Sequence, residues 1–373
     1  MAANQRNISF ATFNLYNLQL PGRPMYARSK PYTEAAYRTK IDWTAAMLRR
    51  LDADVIAFQE LWSREALEDA FDAAGLRAEY DLAFIKDGAW DGIAVAAAVR
   101  RPWTIAGTRR HKAFPAGFRL KKRKRSMAEI RADQPDADAG IDPAADPEFL
   151  PSHEDDEIEV TVPEFSRSPL QVTVRHERAR NPTPPAIDVF CTHLKSKLAT
   201  LLDDAEYRDP TFRPHRNALG GALSAIRRTA EAAALRIILN DTMAASGLPT
   251  VVLGDLNDGQ FSDVLGILTG QPTFRVAEGS RAGEHSAAGL YTGVQLQQLR
   301  SLGDVYYTHE FKNVRQVIDH ALVSQHFYDH SAARLWVFEE MLFLNDHVAD
   351  HRSPASDHGL VRAAFRWLPR SER

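Results

Sequence analysis

Apolar residues recur along the chain in short runs parted by polar stretches, and their spacing sorts them into two kinds of element. Runs rich in β-branched and aromatic residues predict strands at 8–14 (ISFATFN), 54–58 (DVIAF), 93–99 (IAVAAAV), 170–174 (LQVTV), 186–192 (AIDVFCT), 250–253 (TVVL), 316–323 (QVIDHALV) and 359–366 (GLVRAAFR). Three segments carry a helical period instead. Residues 34–51 place Tyr37, Ile41, Thr44, Leu48 and Leu51 on one face. A second helix opens after Ser63 as N-cap and buries Leu67 and Phe71. The longest, 217–245, sets Leu219, Leu223, Ile226, Ala230, Ala233 and Ile237 on one stripe, with Gly247 as its stop signal. Strands and helices alternate throughout without a fixed-period repeat, so a single domain over 1–373 is expected.

Residues 108–165 break this rhythm. The stretch 109–125 holds nine Lys/Arg and no acid, whereas 129–159 holds twelve Asp/Glu against the single Arg131. Pro135, Pro143, Pro147 and Pro151 fall in the acidic part, a composition that resists regular structure. The segment is expected to be a charged, Pro-rich insertion. Because the two blocks nearly cancel, the net charge of −3 conceals them, and that total exerts no global pull toward nucleic acid or anionic membrane. The run RLKKRKR at 119–125 is either a local site for backbone phosphates or a solvated surface.

A chain of 373 residues that is 44% hydrophobic and 25% charged is of ordinary globular composition. No run approaches the ~18 to 20 apolar residues that span a bilayer, and MAANQRNISF lacks the layout of a signal peptide, so neither a transmembrane segment nor export is expected. The one cysteine, Cys191, leaves no internal disulfide and no Cys cluster for zinc. A reducing, cytoplasmic location is therefore expected.

Several predicted strands end in acids, amides or imidazoles beside small residues, where ligands and catalytic groups gather. VVLGDLND (251–258) ends in Asp255, Asn257 and Asp258: an acid that can take a proton or face a metal, and an amide that can donate to an oxyanion. An Asx-rich turn is the alternative. IDVFCTHLK (187–195) delivers His193 and Lys195, and a structural histidine is the plainer explanation there. In DVIAFQEL (54–61), Glu60 is a solvated acid or a carboxylate for a hard cation such as Mg²⁺. Asn14 ends the first strand. Asp319 and His320 interrupt an apolar strand, where an acid must be partnered. Asp357 and His358 lead into the last strand.

Together these are the parts of a metal-assisted phosphoryl hydrolase. Their order, Asn14, QE at 59–60, THL at 192–194, GDLND at 254–258, ID at 318–319 and SDHG at 356–359, resembles the endonuclease/exonuclease/phosphatase superfamily across nearly the whole chain. The resemblance implies an α/β fold, a deoxyribonuclease-like two-sheet sandwich with outer helices and one metal-centred site. It implies that Glu60 is the main metal-ligating glutamate, with Asn14 and Asp357 near a Mg²⁺ or Mn²⁺ ion. Asp255 and Asn257 would position the attacking water and a phosphate oxygen. His358, supported by Asp319, would be the imidazole of an imidazole–carboxylate pair, and His193 a second imidazole on phosphate. His320 stands where the family often has an aromatic residue, and VRR at 99–101 where Ser-Arg is common.

His347 and His351, four apart, are a conceivable zinc pair, although no Glu follows His347 and a polar loop is favoured. Arg227, Arg228 and Arg236 are candidate phosphate contacts or a solvated helix face. Arg167 and Lys195 are candidate substrate contacts, Arg167 with the alternative of a simple edge-strand arginine. No Walker or dinucleotide fingerprint is present. The substrate is expected to be a phosphate ester, and the leading expectation is a nuclease acting on DNA or RNA. The alternatives are a phosphatase or phosphodiesterase for small or lipid-derived phosphates (inositol phosphates, sphingomyelin) and a non-catalytic binding protein on the same scaffold.

Overall fold

A computed structural model describes residues 7–27, 29–85, 90, 92–120, 162–177, 183–274, 281, 283–299, 307–311, 314–348 and 354–369. In chain order the strands are β1 (Asn7–Leu18), β2 (Val55–Leu61), β3 (Tyr80–Phe84), β4 (Ala94–Arg100), β5 (Trp103–Arg110), β6 (Leu170–His176), β7 (Ile187–His193), β8 (Thr250–Asp255), β9 (Leu290–Thr292), β10 (His309–Phe311), β11 (Val314–Gln316), β12 (Asp319–Ser324), β13 (Trp336–Leu344) and β14 (Leu360–Trp367). They form two six-stranded sheets, ordered β13-β14-β1-β2-β4-β3 and β5-β6-β7-β8-β12-β9, plus the hairpin β10-β11. This is the expected two-sheet α/β sandwich.

Alternation along the strands explains the layers. In β1, Ile8 and Phe10 face the second sheet and pack in one cluster with Val172, Val189, Val251 and Val323, while Phe13 and Leu15 face outward. Helices α1 (Glu34–Leu51) and α2 (Arg64–Ala74) cover that outer face with Leu48 and Phe71. The second sheet presents Phe190, Val252 and Leu322 to Leu235 and Leu239 of the long helix Arg216–Ser246, which Gly247 ends in the left-handed conformation at φ 62°. No helix among the described residues is long and apolar enough to cross a membrane.

Each sheet holds one parallel pair, β1 with β2 and β7 with β8, and every other named pairing is antiparallel. Both parallel pairs end at the same rim of the sandwich, and their C-terminal ends carry the polar residues singled out above.

Two expectations change. The long helix does not bury its Leu219, Leu223, Ile226, Ile237 stripe; these residues are 37–46% exposed. Of the expected stripe Ala230 is buried, and with it the first half buries Gly220, Ser224, Arg228 and Glu231. The reason is that this half packs on a loop rather than on the sheet. A Cβ on Gly220 would lie 2.2 Å from the Thr200 carbonyl oxygen, and the Ser224 hydroxyl donates to Leu198 O at 2.7 Å. Second, residues 108–110 of the expected insertion continue β5, paired with 170–172. Ala113 bridges Glu164, and Phe114 and Phe165 pack under the second sheet. Residues 121–161, including Lys121–Arg125 and the whole acidic block, lie outside the described residues.

Candidate active site

The strands deliver the candidate residues by register. His193 and Asp255 are the last residues of β7 and β8 and pair directly; Asp319, the first residue of β12, pairs with Asp255 on its other side. Gly254 makes this approach feasible, since at φ 152° a Cβ would lie 2.0 Å from Thr192 O. From the other sheet, β1 and β2 lose register after Asn14, and the chain passes through left-handed backbone at Tyr16, Asn17 and Glu60. That irregularity turns Glu60 toward Asn14, whose amide nitrogen donates to Glu60 Oε1 at 3.5 Å and to Asp255 Oδ2 at 3.2 Å. His358 stands just before β14, where Ser356 Oγ accepts its N–H at 3.0 Å and donates to Asn14 O at 2.8 Å.

Asp255 is the hub. Its Oδ1 accepts the Asn257 N–H at 2.8 Å, and its Oδ2 lies 3.5 Å from His193 Nε2 and 3.9 Å from His358 Nε2. Burial pushes the Asp255 carboxyl up to about 7, against the opposing pull of His358. The two imidazoles are driven apart. Burial, with Arg167 and His358 nearby, holds His193 well below the ordinary histidine value, so it is neutral. Burial also works against charge on His358, but Asp319 and Asp255 outweigh it and raise His358 well above that value. Asp319 Oδ2 accepts from His358 Nδ1 at 2.8 Å.

The donor set fits a hard divalent cation. Glu60 Oε2 and Asp357 Oδ1 are buried oxygen atoms without a hydrogen-bond partner, and burial raises the Glu60 carboxyl, the signature of a carboxylate short of a counter-charge. Glu60 and Asp357 could hold the ion. Asn14 instead turns its NH₂ toward Glu60, because its oxygen accepts the Tyr16 N–H at 3.0 Å. His309, Asp357 and His358 form one group of metal-capable atoms within 4.8 Å of one another, and Asp255, Asp319 and His358 another.

A model of the Endonuclease/Exonuclease/phosphatase family matches residues 11–358. The chain belongs to that family. Among solved structures, an endonuclease/exonuclease/phosphatase from Bacteroides vulgatus is 13% identical, with 97% of this chain and 99% of that one covered at a TM-score of 0.50. A mannosyl-6-phosphatase of Bacteroides thetaiotaomicron is likewise 13% identical, covering 96% and 100% at 0.50. The human Nocturnin catalytic domain with bound sulfate is 12% identical, covering 99% and 97% at 0.50. These likenesses establish the family's fold. No curated protein is significantly similar in sequence.

Within this family member the candidate arginines and lysine are less free than expected. Arg228 is buried, donating to Asp258 Oδ2 at 3.1 Å and Lys195 O at 3.3 Å. The Lys195 ammonium donates to the Ser196 and Leu198 carbonyls of its own loop. Arg236 braces the Leu268 and Ala288 carbonyls, away from the site. Arg227 donates to Ser166 Oγ and Glu164 O. Arg167 donates to Leu194 O at 2.9 Å and faces Glu60 and His193 electrostatically, so it borders the site. Asn257 spends an N–H on Leu194 O at 3.1 Å and keeps a second. His320 Nε2 bonds Asp258 O at 2.9 Å, so the unusual histidine fastens the loop after Asn257. His347 Nε2 bonds His358 O at 2.8 Å, whereas His351 lies outside the described residues.

Sequence reading missed three groups. Lys40 of α1 is 1% exposed, donates to Pro354 O at 3.1 Å, and sits 5.7 Å and 5.4 Å from the Tyr16 and Trp43 ring centroids. Glu231 is fully buried and accepts the Ser166 and Lys195 N–H groups, both at 2.8 Å. His309 lies 5.1 Å, ring to ring, from His358.

Proposed function

We propose that this protein is a divalent-metal-dependent phosphodiester hydrolase that acts as a nuclease, its chemistry carried by residues 1–373 as one unit. The observation that supports this most is the pair of imidazoles on one carboxylate: His193 Nε2 and His358 Nε2 lie 3.5 Å and 3.9 Å from Asp255 Oδ2. Asp255 orients a water and draws off its proton as the water attacks phosphorus. His358, charged and held by Asp319, donates Nε2–H to a phosphate oxygen as negative charge builds there. Neutral His193 and the remaining Asn257 N–H are donors to the same group. Mg²⁺ or Mn²⁺ at Glu60 and Asp357 would supply Lewis-acid polarisation of a phosphate oxygen. Buried, unpartnered Cys191 suits a reducing, cytoplasmic setting.

A smaller phosphate ester is the second reading, favoured by the family's mannosyl-6-phosphatase neighbour and by the internal bonding of Lys195 and Arg228. A panel of single-stranded and duplex DNA, RNA, inositol phosphates, sphingomyelin and bis-p-nitrophenyl phosphate, with Mg²⁺, Mn²⁺ or EDTA, tests both. Metal-dependent cleavage of nucleic acid is the expected result. Turnover confined to non-nucleotide esters would overturn the nuclease assignment.

A further inference from the structure

Beside the reacting centre lies a cleft of about 400 Å³ lined by Lys197, Asp258, Gln260, Phe261, Arg315 and Gln316. It is continuous with the centre through the chain: Asp258 follows Asn257, and Arg315–Val317 lead to Asp319. Phe261 stands at its lip with 87% of its surface exposed, the most exposed large apolar side chain among the described residues. An aromatic ring left in water next to a polar cleft is the arrangement by which single-stranded nucleic-acid sites stack a base.

The charges narrow the ligand class. Lys197 Nζ lies 3.2 Å from Asp258 Oδ1, and Arg315 Nε donates to Glu310 Oε2 at 2.9 Å. Each cation already has its carboxylate, so the cleft offers no surplus charge to a dense polyanion such as an inositol polyphosphate. Lys197 and Arg315 are still 49% and 54% exposed and can add one contact to a single phosphate. Gln260 and Gln316 supply amides with both donors and acceptors, the chemistry that reads a base edge. A flat ring, two amides and paired cations match one nucleotide.

We infer that this cleft is a nucleotide subsite, in which the base next to the scissile phosphate of a single-stranded nucleic acid stacks on Phe261. The inference rests on the hydrolase reading only for which phosphate is cut; the subsite itself is tested by binding. The probe is a fluorescein-labelled, phosphorothioate-linked oligothymidylate, which keeps its charge and resists cleavage, followed by anisotropy with Mg²⁺ present. Phe261→Ala should raise Kd about tenfold, while Phe261→Trp retains affinity. An abasic residue placed in turn at each position should, at one position, weaken the wild type by a similar factor and Phe261→Ala no further. Turnover of bis-p-nitrophenyl phosphate should be the same in all three proteins. Equal oligonucleotide affinity of wild type and Phe261→Ala, or no oligonucleotide binding by a wild type that hydrolyses the small diester, would overturn the subsite. Failure to hydrolyse either ester would instead sink the hydrolase reading, and the binding comparison would still decide the subsite.

Discussion

The 2.8 Å hydrogen bond from His358 Nδ1 to Asp319 Oδ2 joins the two sheets, because His358 precedes β14 of the first and Asp319 opens β12 of the second. Neither sheet holds the pair alone. The bond orients His358 Nε2 toward Asp255 and stabilises the imidazolium, so the protonated histidine depends on a contact that only the closed sandwich provides.

Asp319→Asn should therefore move the alkaline limb of the pH–rate profile. In the proposed mechanism protonated His358 is the active form, so activity should fall as pH rises through its raised pKa. Asp319, Asp255 and Asp357 raise it, burial opposes them, and the His309 ring faces it. Loss of the Asp319 charge lowers that pKa, so the limb should appear at lower pH and kcat should fall about 10²- to 10³-fold. An unchanged alkaline limb would show that His358 does not act as an acid.

Glu60→Gln should weaken the cation site without unfolding the chain. The Glu60 Oε2 atom lacks a partner, and Asp357 is the neighbouring carboxylate that raises Glu60. Isothermal titration with Mn²⁺ should give a higher Kd for the variant, and EDTA should abolish wild-type turnover until Mg²⁺ or Mn²⁺ is restored. Full activity in EDTA would exclude the metal.

Lys40 should leave a mark on stability at alkaline pH. Burial lowers its ammonium to about 8 from 10.5, with Asp357 and Glu60 pulling the other way. Between those values the unfolded chain keeps the proton that the folded chain releases, so stability rises with pH by up to about 3 kcal/mol. Urea denaturation at several pH values should show the wild type gaining on Lys40→Met across this window. Parallel curves would mean that Lys40 is not held in a dry site.

Glu231→Gln should separate binding from chemistry. The carboxylate joins the Ser166 and Lys195 backbones beside Arg167, so its loss should loosen the loops that border the site while Asp255 and His358 stay in place. KM should rise several-fold more than kcat falls, with about 2 kcal/mol lost in urea denaturation. A fall in kcat alone would contradict this positioning role.

Legibility followed burial. Strands β2, β4 and β8 could be read because both faces are apolar, as in VVL at 251–253. Edge strands β3, β5 and β13 could not: YDLAF, WTIAGTRR and WVFEEMLFL mix polar and apolar residues because one face meets solvent. Glu60, Asp255, Asp319 and His358 showed as polar residues ending or interrupting apolar runs. Lys40 did not, because its partner, Pro354 O, lies 314 residues away in sequence. The buried face at the start of the long helix was invisible to periodicity, since Gly220, Ser224 and Arg228 form no apolar stripe.

The kcat of Asp255→Asn on bis-p-nitrophenyl phosphate with saturating Mg²⁺ tests the account most directly. An amide keeps the shape of Asp255 and accepts the Asn257 N–H, but it cannot take a proton from water. The variant should melt like the wild type while kcat falls by several orders of magnitude, with KM changed far less. A folded Asp255→Asn protein with near-normal kcat would contradict the assignment of Asp255 as the base on which the site is built.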